Sequence, residues 1–184
     1  RARRRPAAEA VAVPPLSPRL QVVRAALLAT SVLSVALVAH LVVVSSLQHR
    51  AAQQQAYDAF RAQLAAGTAP VGPTDVEGRV LPLGAPVALL EIPAIGLRQV
   101  VGEGTTPGVL YGGPGHRRDS PLPGQAGTSV VMGRRGAFGG PFARLDELDA
   151  GDAISITTGQ GSFEYRVTGT REEGDPAPAP ADAD

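Results

Sequence analysis

The sequence predicts a mainly β domain, a barrel or sandwich with short helices, standing behind an N-terminal transmembrane helix and a helical stalk. Three observations predict it. Residues Ala25 to Leu47 are apolar or small except for His40. Residues 48–67 are rich in helix formers and contain no Pro or Gly before Gly67. From Val87 onward, short apolar stretches of strand period are separated by turns rich in Gly and Pro.

The first 24 residues form a basic tail carrying Arg1, Arg3, Arg4 and Arg5, followed by Arg19 and Arg24. The apolar run of residues 25–47 rises about 1.5 Å per residue as a helix and so crosses a hydrocarbon core of roughly 30 Å. A buried core helix is the blander reading, but few large apolar residues elsewhere are available to wrap it. A cleaved signal peptide is the stronger rival. Its apolar region is typically only about 7–15 residues long, and no small-x-small site closes this run. An uncleaved anchor is therefore preferred. Arginines before the span exceed those just after it, which places the N-terminus in the cytoplasm and everything beyond Leu47 outside. On this reading "RARRR" is a topology signal and not a nucleic-acid arm. His40 is read as a polar residue tolerated near a partner helix rather than as a proton relay.

Residues 48–67 continue the helix as a stalk, with Gly67 at its C-cap. Residues 68–79, "TAPVGPTDVEG" with its neighbour, have linker composition. Residues 80–172 form the β domain, with strands expected at "ALLEI", "RQVV", "TSVVM", "AISIT" and "SFEYRVTGT". Ile154 and Ile156, then Phe163, Tyr165 and Val167, alternate with polar residues at the period of half-buried strands. "TGQG" between them is a hairpin turn. A short helix is expected at "PFARLDELDAG", where Phe142, Leu145 and Leu148 recur at helical spacing. Residues 173–184, rich in Pro, Ala and Asp, read as a disordered tail or an interrupted loop.

Composition excludes several chemistries. Seventeen basic residues balance seventeen acidic ones, so no net field favours nucleic acid. Every basic residue is arginine, which looks like a coding bias and lowers the weight of any single one. There is no cysteine, hence no disulfide, no thiolate metal site and no cysteine nucleophile in these residues. Without lysine no Ser-Lys pair exists, and no G-x-S-x-G elbow is present. The glycines precede strands rather than a helix, which argues against a phosphate-cradling loop, and no cofactor is expected. No His/Asp/Glu cluster has metal spacing; Asp146, Glu147 and Asp149 read as the solvated side of a short helix.

Within the β region the turn motifs fall in a definite order: "LEIPAIGL", "GPGH", "PLPGQAG", "VVMGRRG", "PFARLDELDAGD" and "FEYRV". The order resembles that of the sortases, membrane-anchored cysteine transpeptidases of Gram-positive bacteria, and is most similar to actinobacterial, class E-like members. The resemblance covers about Leu89 to Thr170. It implies an eight-stranded barrel in which a cysteine attacks a sorting-signal peptide, a histidine moves the proton and an arginine steadies the oxyanion. An amine from a cell-wall precursor or pilin then resolves the thioester.

One departure decides the functional reading. Gly133-Arg134-Arg135 stands where the family has Gly-His-Arg, so Arg134 takes the position of the catalytic histidine. Arginine stays charged and cannot shuttle a proton near neutrality. His116 in "GPGHRR" mimics the missing pair but matches the family's earlier structural turn; it is the candidate alternative base. Arg134, Arg135, Phe138 and Phe142 are candidates for the lining of a remnant groove, which is expected to take a sorting-signal peptide or a wall component. The expected function is thus a membrane-anchored, extracytoplasmic sortase-like domain without transpeptidase activity. The alternatives are a working sortase whose cysteine and arginine lie beyond Asp184, and a structural membrane-anchored β domain. Because the strand pattern stops at about five of eight strands, the barrel is expected to be incomplete over these residues.

Overall fold

The computed structural model describes residues 17–171. The arginines of the basic tail, Arg1 to Arg5, and the segment 173–184 lie outside the described residues. The chain divides into two units, Arg1–Leu41 and Val42–Asp184. Helix α1, Pro18–Ala66, contributes to both.

In the first unit the apolar side chains of α1 are open on every side: Leu27, Val32, Leu33 and Val38 are all exposed. A helix apolar all round is buried in protein or in lipid, and here none of the described residues covers it. One helix long and apolar enough to cross a membrane is present among the described residues.

In the second unit α1 is amphipathic and packs on a sheet. Its strands are β1 (Pro86–Ile92), β2 (Leu97–Glu103), β3 (Gly115–His116), β4 (Val131–Met132), β5 (Ala153–Thr158) and β6 (Gly161–Arg166). They lie in the order β4-β3-β2-β1-β5-β6. All neighbours are antiparallel except β2 and β3, which run parallel through Gly102↔Gly115 and Glu103↔His116. A parallel pair needs a crossover, and the second helix, α2 (Pro107–Gly112), supplies it.

The central strand explains why "PVALLEI" is apolar without alternation. Leu90 and Ile92 join Leu81, Val101, Leu122, Phe142, Leu148, Ile156 and Val167 in the main core. Leu89 and Val100 face the other way and meet Phe60 of α1, which is 1% exposed. A strand covered on both faces reads as a continuous apolar run. Burying Phe60 alone contributes about 1.5–3 kcal/mol. The residues read as a stalk are therefore a layer of the domain. Ala69 of the segment read as a linker is buried in the same cluster.

Other expectations are refined by the structure. The "GPGH" turn contains strand β3, two residues long and too short to carry a period. "TSVVM" pairs only through Val131 and Met132. The expected helix at "PFARLDELDAG" is a single 3₁₀ turn, Leu145–Glu147. The β5–β6 hairpin closes through Gly159 and Gln160 as expected, with the Gln160 N–H donating to Thr158 Oγ1 at 3.1 Å. Tyr165 is exposed, its hydroxyl accepting from the Gly124 N–H at 2.7 Å.

The sheet curls. Six strands at about 4.8 Å spacing would separate β4 from β6 by roughly 24 Å if flat. Yet Gly133 and Arg135, just after β4, and Arg166 and Val167, at the end of β6, line one cavity of about 860 Å³.

Candidate functional site

The chain leaves β4 through Gly133. A Cβ there would lie 2.5 Å from the ring of Phe142, so only glycine lets that ring pack on the backbone. The Phe142 N–H donates back to the Arg134 carbonyl at 3.0 Å, closing an eight-residue excursion. Within it Ala137, Phe138, Gly139 and Gly140 all have positive φ, between 46° and 75°. Left-handed backbone costs roughly 1–2 kcal/mol at each non-glycine residue, so Ala137 and Phe138 are held there by other contacts.

Those contacts are visible. The Phe138 ring lies 4.4 Å from that of Tyr111 in α2. The Arg134 guanidinium sits 4.5 Å from the Tyr111 centroid and 5.6 Å from that of Phe138. Gly139 abuts His49 of α1, where a Cβ would come within 2.2 Å of the imidazole. A strained loop is thus pinned between α1 and α2.

The four residues expected to share a groove separate into two places. Phe142 and Arg135 line the large cavity, with Leu145, Leu148, Ile154 and Val167 as its apolar wall. Arg135 pairs there with Asp146 at 3.3 Å. Arg134 and Phe138 belong to the aromatic stack on Tyr111 instead. Successive residues leaving a strand point to opposite sides, which is why adjacent arginines part company.

His116 lies elsewhere and is 2% exposed. Its Nδ1 is 2.9 Å from Glu103 Oε2, and its Nε2 is 3.1 Å from the Pro121 carbonyl and 3.3 Å from Ser120 Oγ. Serine, histidine and glutamate in this order look like a nucleophile-base-acid relay. The hydrogen bonds point to a different role. A carbonyl only accepts, so Nε2 directs its hydrogen at Pro121 and has no lone pair for the serine. Ser120 Oγ donates to the Arg117 carbonyl at 2.7 Å and accepts from the Val130 N–H at 3.1 Å. The network ties β2, β3 and the turn after β3 to Val130 at the entry of β4, with Arg118 on Glu103 at 3.3 Å.

The acidic side chains near the cavity already have cationic partners: Asp146 has Arg135, and Glu147 has Arg144 at 2.6 Å. The Arg144 hydrogen bond holds the Glu147 carboxyl below its ordinary range. Among the described residues no group of three or more His, Cys, Asp or Glu side chains is placed to hold a metal ion.

Three residues of this region escaped the sequence reading. His49 is buried against Gly139, with Nε2 3.0 Å from Gln99 Nε2. Burial lowers its pKa from the usual 6.5, opposed by the backbone of Tyr111 and the Gln99 side chain. Gln53 uses its amide as a strand would: it accepts from the Val100 N–H at 2.8 Å and donates to the Val100 carbonyl at 3.1 Å and the Gly112 carbonyl at 2.9 Å. Tyr111 carries the stack. For the first two a signal existed, because His49, Gln53, Ala56 and Phe60 recur at spacings of four, three and four along one helix face.

Comparison with known proteins agrees with this geometry. Residues 90–177 match the sortase domain family. Sortase D of Bacillus subtilis (strain 168) is 35% identical over 83 residues, 45% of this chain and 40% of that protein, so the chain spans less than half the length of this curated relative. The sortase D5 transpeptidase of Clostridium perfringens superposes with a TM-score of 0.55 at 25% identity, covering 65% of this chain and 73% of the other. Sortase E of Streptomyces avermitilis aligns at 35% identity over 47% of this chain and 58% of that one, with a TM-score of 0.45. The ordered turn motifs and the curled mixed sheet fall in the stretch that the family model matches, so residues 90–177 carry a sortase domain.

Proposed function

We propose that this chain is a membrane-anchored sortase-family protein whose β domain lies outside the cell and binds an extended peptide or a cell-wall component without transferring it. Arg134 carries the reading. Acyl transfer by a thiol needs a neighbouring group that takes and returns a proton near neutral pH. A guanidinium does neither, and Arg134 is moreover stacked on Tyr111 and Phe138, turned from the cavity that Arg135 and Phe142 line. His116 is a poor substitute, since both ring nitrogens are engaged in a buried network.

The groove supports binding. Leu145, Leu148, Ile154 and Val167 give it an apolar wall, and Arg135, Arg166 and Arg171 line it beside Asp146. Anchoring through residues 25–47, with the N-terminus cytoplasmic, is supported by the exposed apolar helix and the arginines that precede it.

The full chain in detergent, mixed with sorting-signal peptides and an amine acceptor, is expected to bind peptide by fluorescence anisotropy while mass spectrometry finds neither cleavage nor an amide product. Turnover that disappears in His116→Ala overturns the reading and favours an active transpeptidase, the alternative that the 40% coverage of sortase D keeps in view. Absence of both binding and turnover favours the purely structural alternative.

A further inference from the structure

We propose that a cleft between α1 and β2 binds the phosphate of an anionic phospholipid headgroup. The inference rests on the membrane-anchored reading. The cleft has a volume of about 390 Å³ and is lined by His49, Arg50, Gln53 and Tyr57 of α1 with Arg98 and Gln99 of β2. Two guanidiniums and no carboxylate border it.

The two arginines differ in a useful way. Arg98 is held in place: its Nε meets Glu91 Oε1 at 2.8 Å, its Nη2 donates to the Tyr57 hydroxyl at 2.9 Å, and its Cζ lies 4.9 Å from the Tyr57 ring centroid. Its Nη1 has no partner among the described residues. Arg50 is exposed and has no hydrogen bond or ion pair among the described residues. A fixed fork beside a free cation suits a phosphodiester, which accepts charge-assisted hydrogen bonds from several directions. Tyr57, Leu89 and Val100 offer apolar wall for the glycerol that follows.

Position along the chain selects a lipid over free phosphate. Headgroups occupy about 5–8 Å on each side of the hydrocarbon core. Arg50 follows Leu47 by three residues and Gln53 by six, about 4.5 and 9 Å along a helix. The cleft's helical wall therefore begins within the headgroup layer of any membrane that residues 25–47 span. Anchoring also supplies headgroups at high effective concentration, so a modest site is filled.

The test uses the full chain reconstituted in nanodiscs of phosphatidylcholine with phosphatidylglycerol, then released and read by native mass spectrometry. Phosphatidylglycerol is expected to be retained over phosphatidylcholine by roughly tenfold, and the preference to vanish in Arg50→Gln/Arg98→Gln. The charge-matched Arg79→Gln/Arg117→Gln keeps it. Arg50→Gln alone, which disturbs no contact of the fold, is expected to lose most of it. Equal retention by wild type and variants overturns the proposal, as does wild type without headgroup preference. Saturable, Arg50-dependent binding of inorganic phosphate to the detergent-solubilised chain assigns the cleft to free phosphate and overturns the lipid source. Alkaline carbonate separates the two readings: a chain stripped from membranes sinks anchoring and this proposal together, while a chain that stays without Arg50-dependent selectivity sinks this proposal alone.

Discussion

Gly139 shows how a single missing Cβ fixes the loop. Its φ of 75° favours glycine, and the His49 ring fills the space a side chain would take. Gly139→Ala is expected to destabilise the protein by about 2–4 kcal/mol, from left-handed strain plus overpacking, measured by chemical denaturation. His49 gives a pH signature. Its folded pKa lies below the usual 6.5 because burial disfavours the cation. The unfolded chain therefore takes up a proton first, so stability is complete above pH 6.5 and declines as pH falls below it. The carboxyls held low by arginines, Asp75, Asp119 and Glu147, act only below their usual values of 3.8, 3.8 and 4.5. Urea melts between pH 7 and 5 are expected to show this loss in wild type, and less of it in His49→Gln. The spacing of His49, Gln53, Ala56 and Phe60 marks the helix face, but the contact itself was not legible, since a histidine past an apolar run carries no mark of its partner 90 residues away. The proposed departure at Arg134 needs only the order of motifs, whereas the stacking of Arg134 on Tyr111 depends on which way each of two adjacent side chains turns.

Among the elements, legibility followed length. Strands β1, β2, β5 and β6 each have six or seven residues and show period or a continuous apolar run. Strands β3 and β4 have two each, and their pairing is set by neighbours rather than by local pattern. The packing of α1 beyond the apolar run is hard to read for a related reason: a helix rich in Ala and Gln looks solvated until its few large residues are seen to share a face. Gln53 is the element's most consequential contact. Gln53→Leu keeps the helix but leaves the Val100 N–H and carbonyl and the Gly112 carbonyl without their partner. A loss of about 2–4 kcal/mol is expected by thermal or urea melts. If β2 tolerates the change within about 0.5 kcal/mol, solvent reaches that edge and the strand-like role of the amide is wrong.

For the whole molecule, the division of labour along α1 matters most. Among the described residues its large apolar side chains from Leu20 to Val38 are exposed, whereas from Ala56 to Phe60 it is a wall of the core. Anyone trimming this protein to obtain a water-soluble piece will be drawn to cut at Gly67, where the helix stops and the strands begin. That cut strips Phe60 from Leu89 and Val100 and removes the amide that satisfies β2, leaving a sticky face and a bare strand rim on which a second copy can zip. Residues 68–184 are expected to elute as aggregates by size exclusion, while residues 48–184 elute as a discrete species. The segment that resembles a mere spacer is, in practice, the handle by which the domain can be freed intact from the apolar run before it.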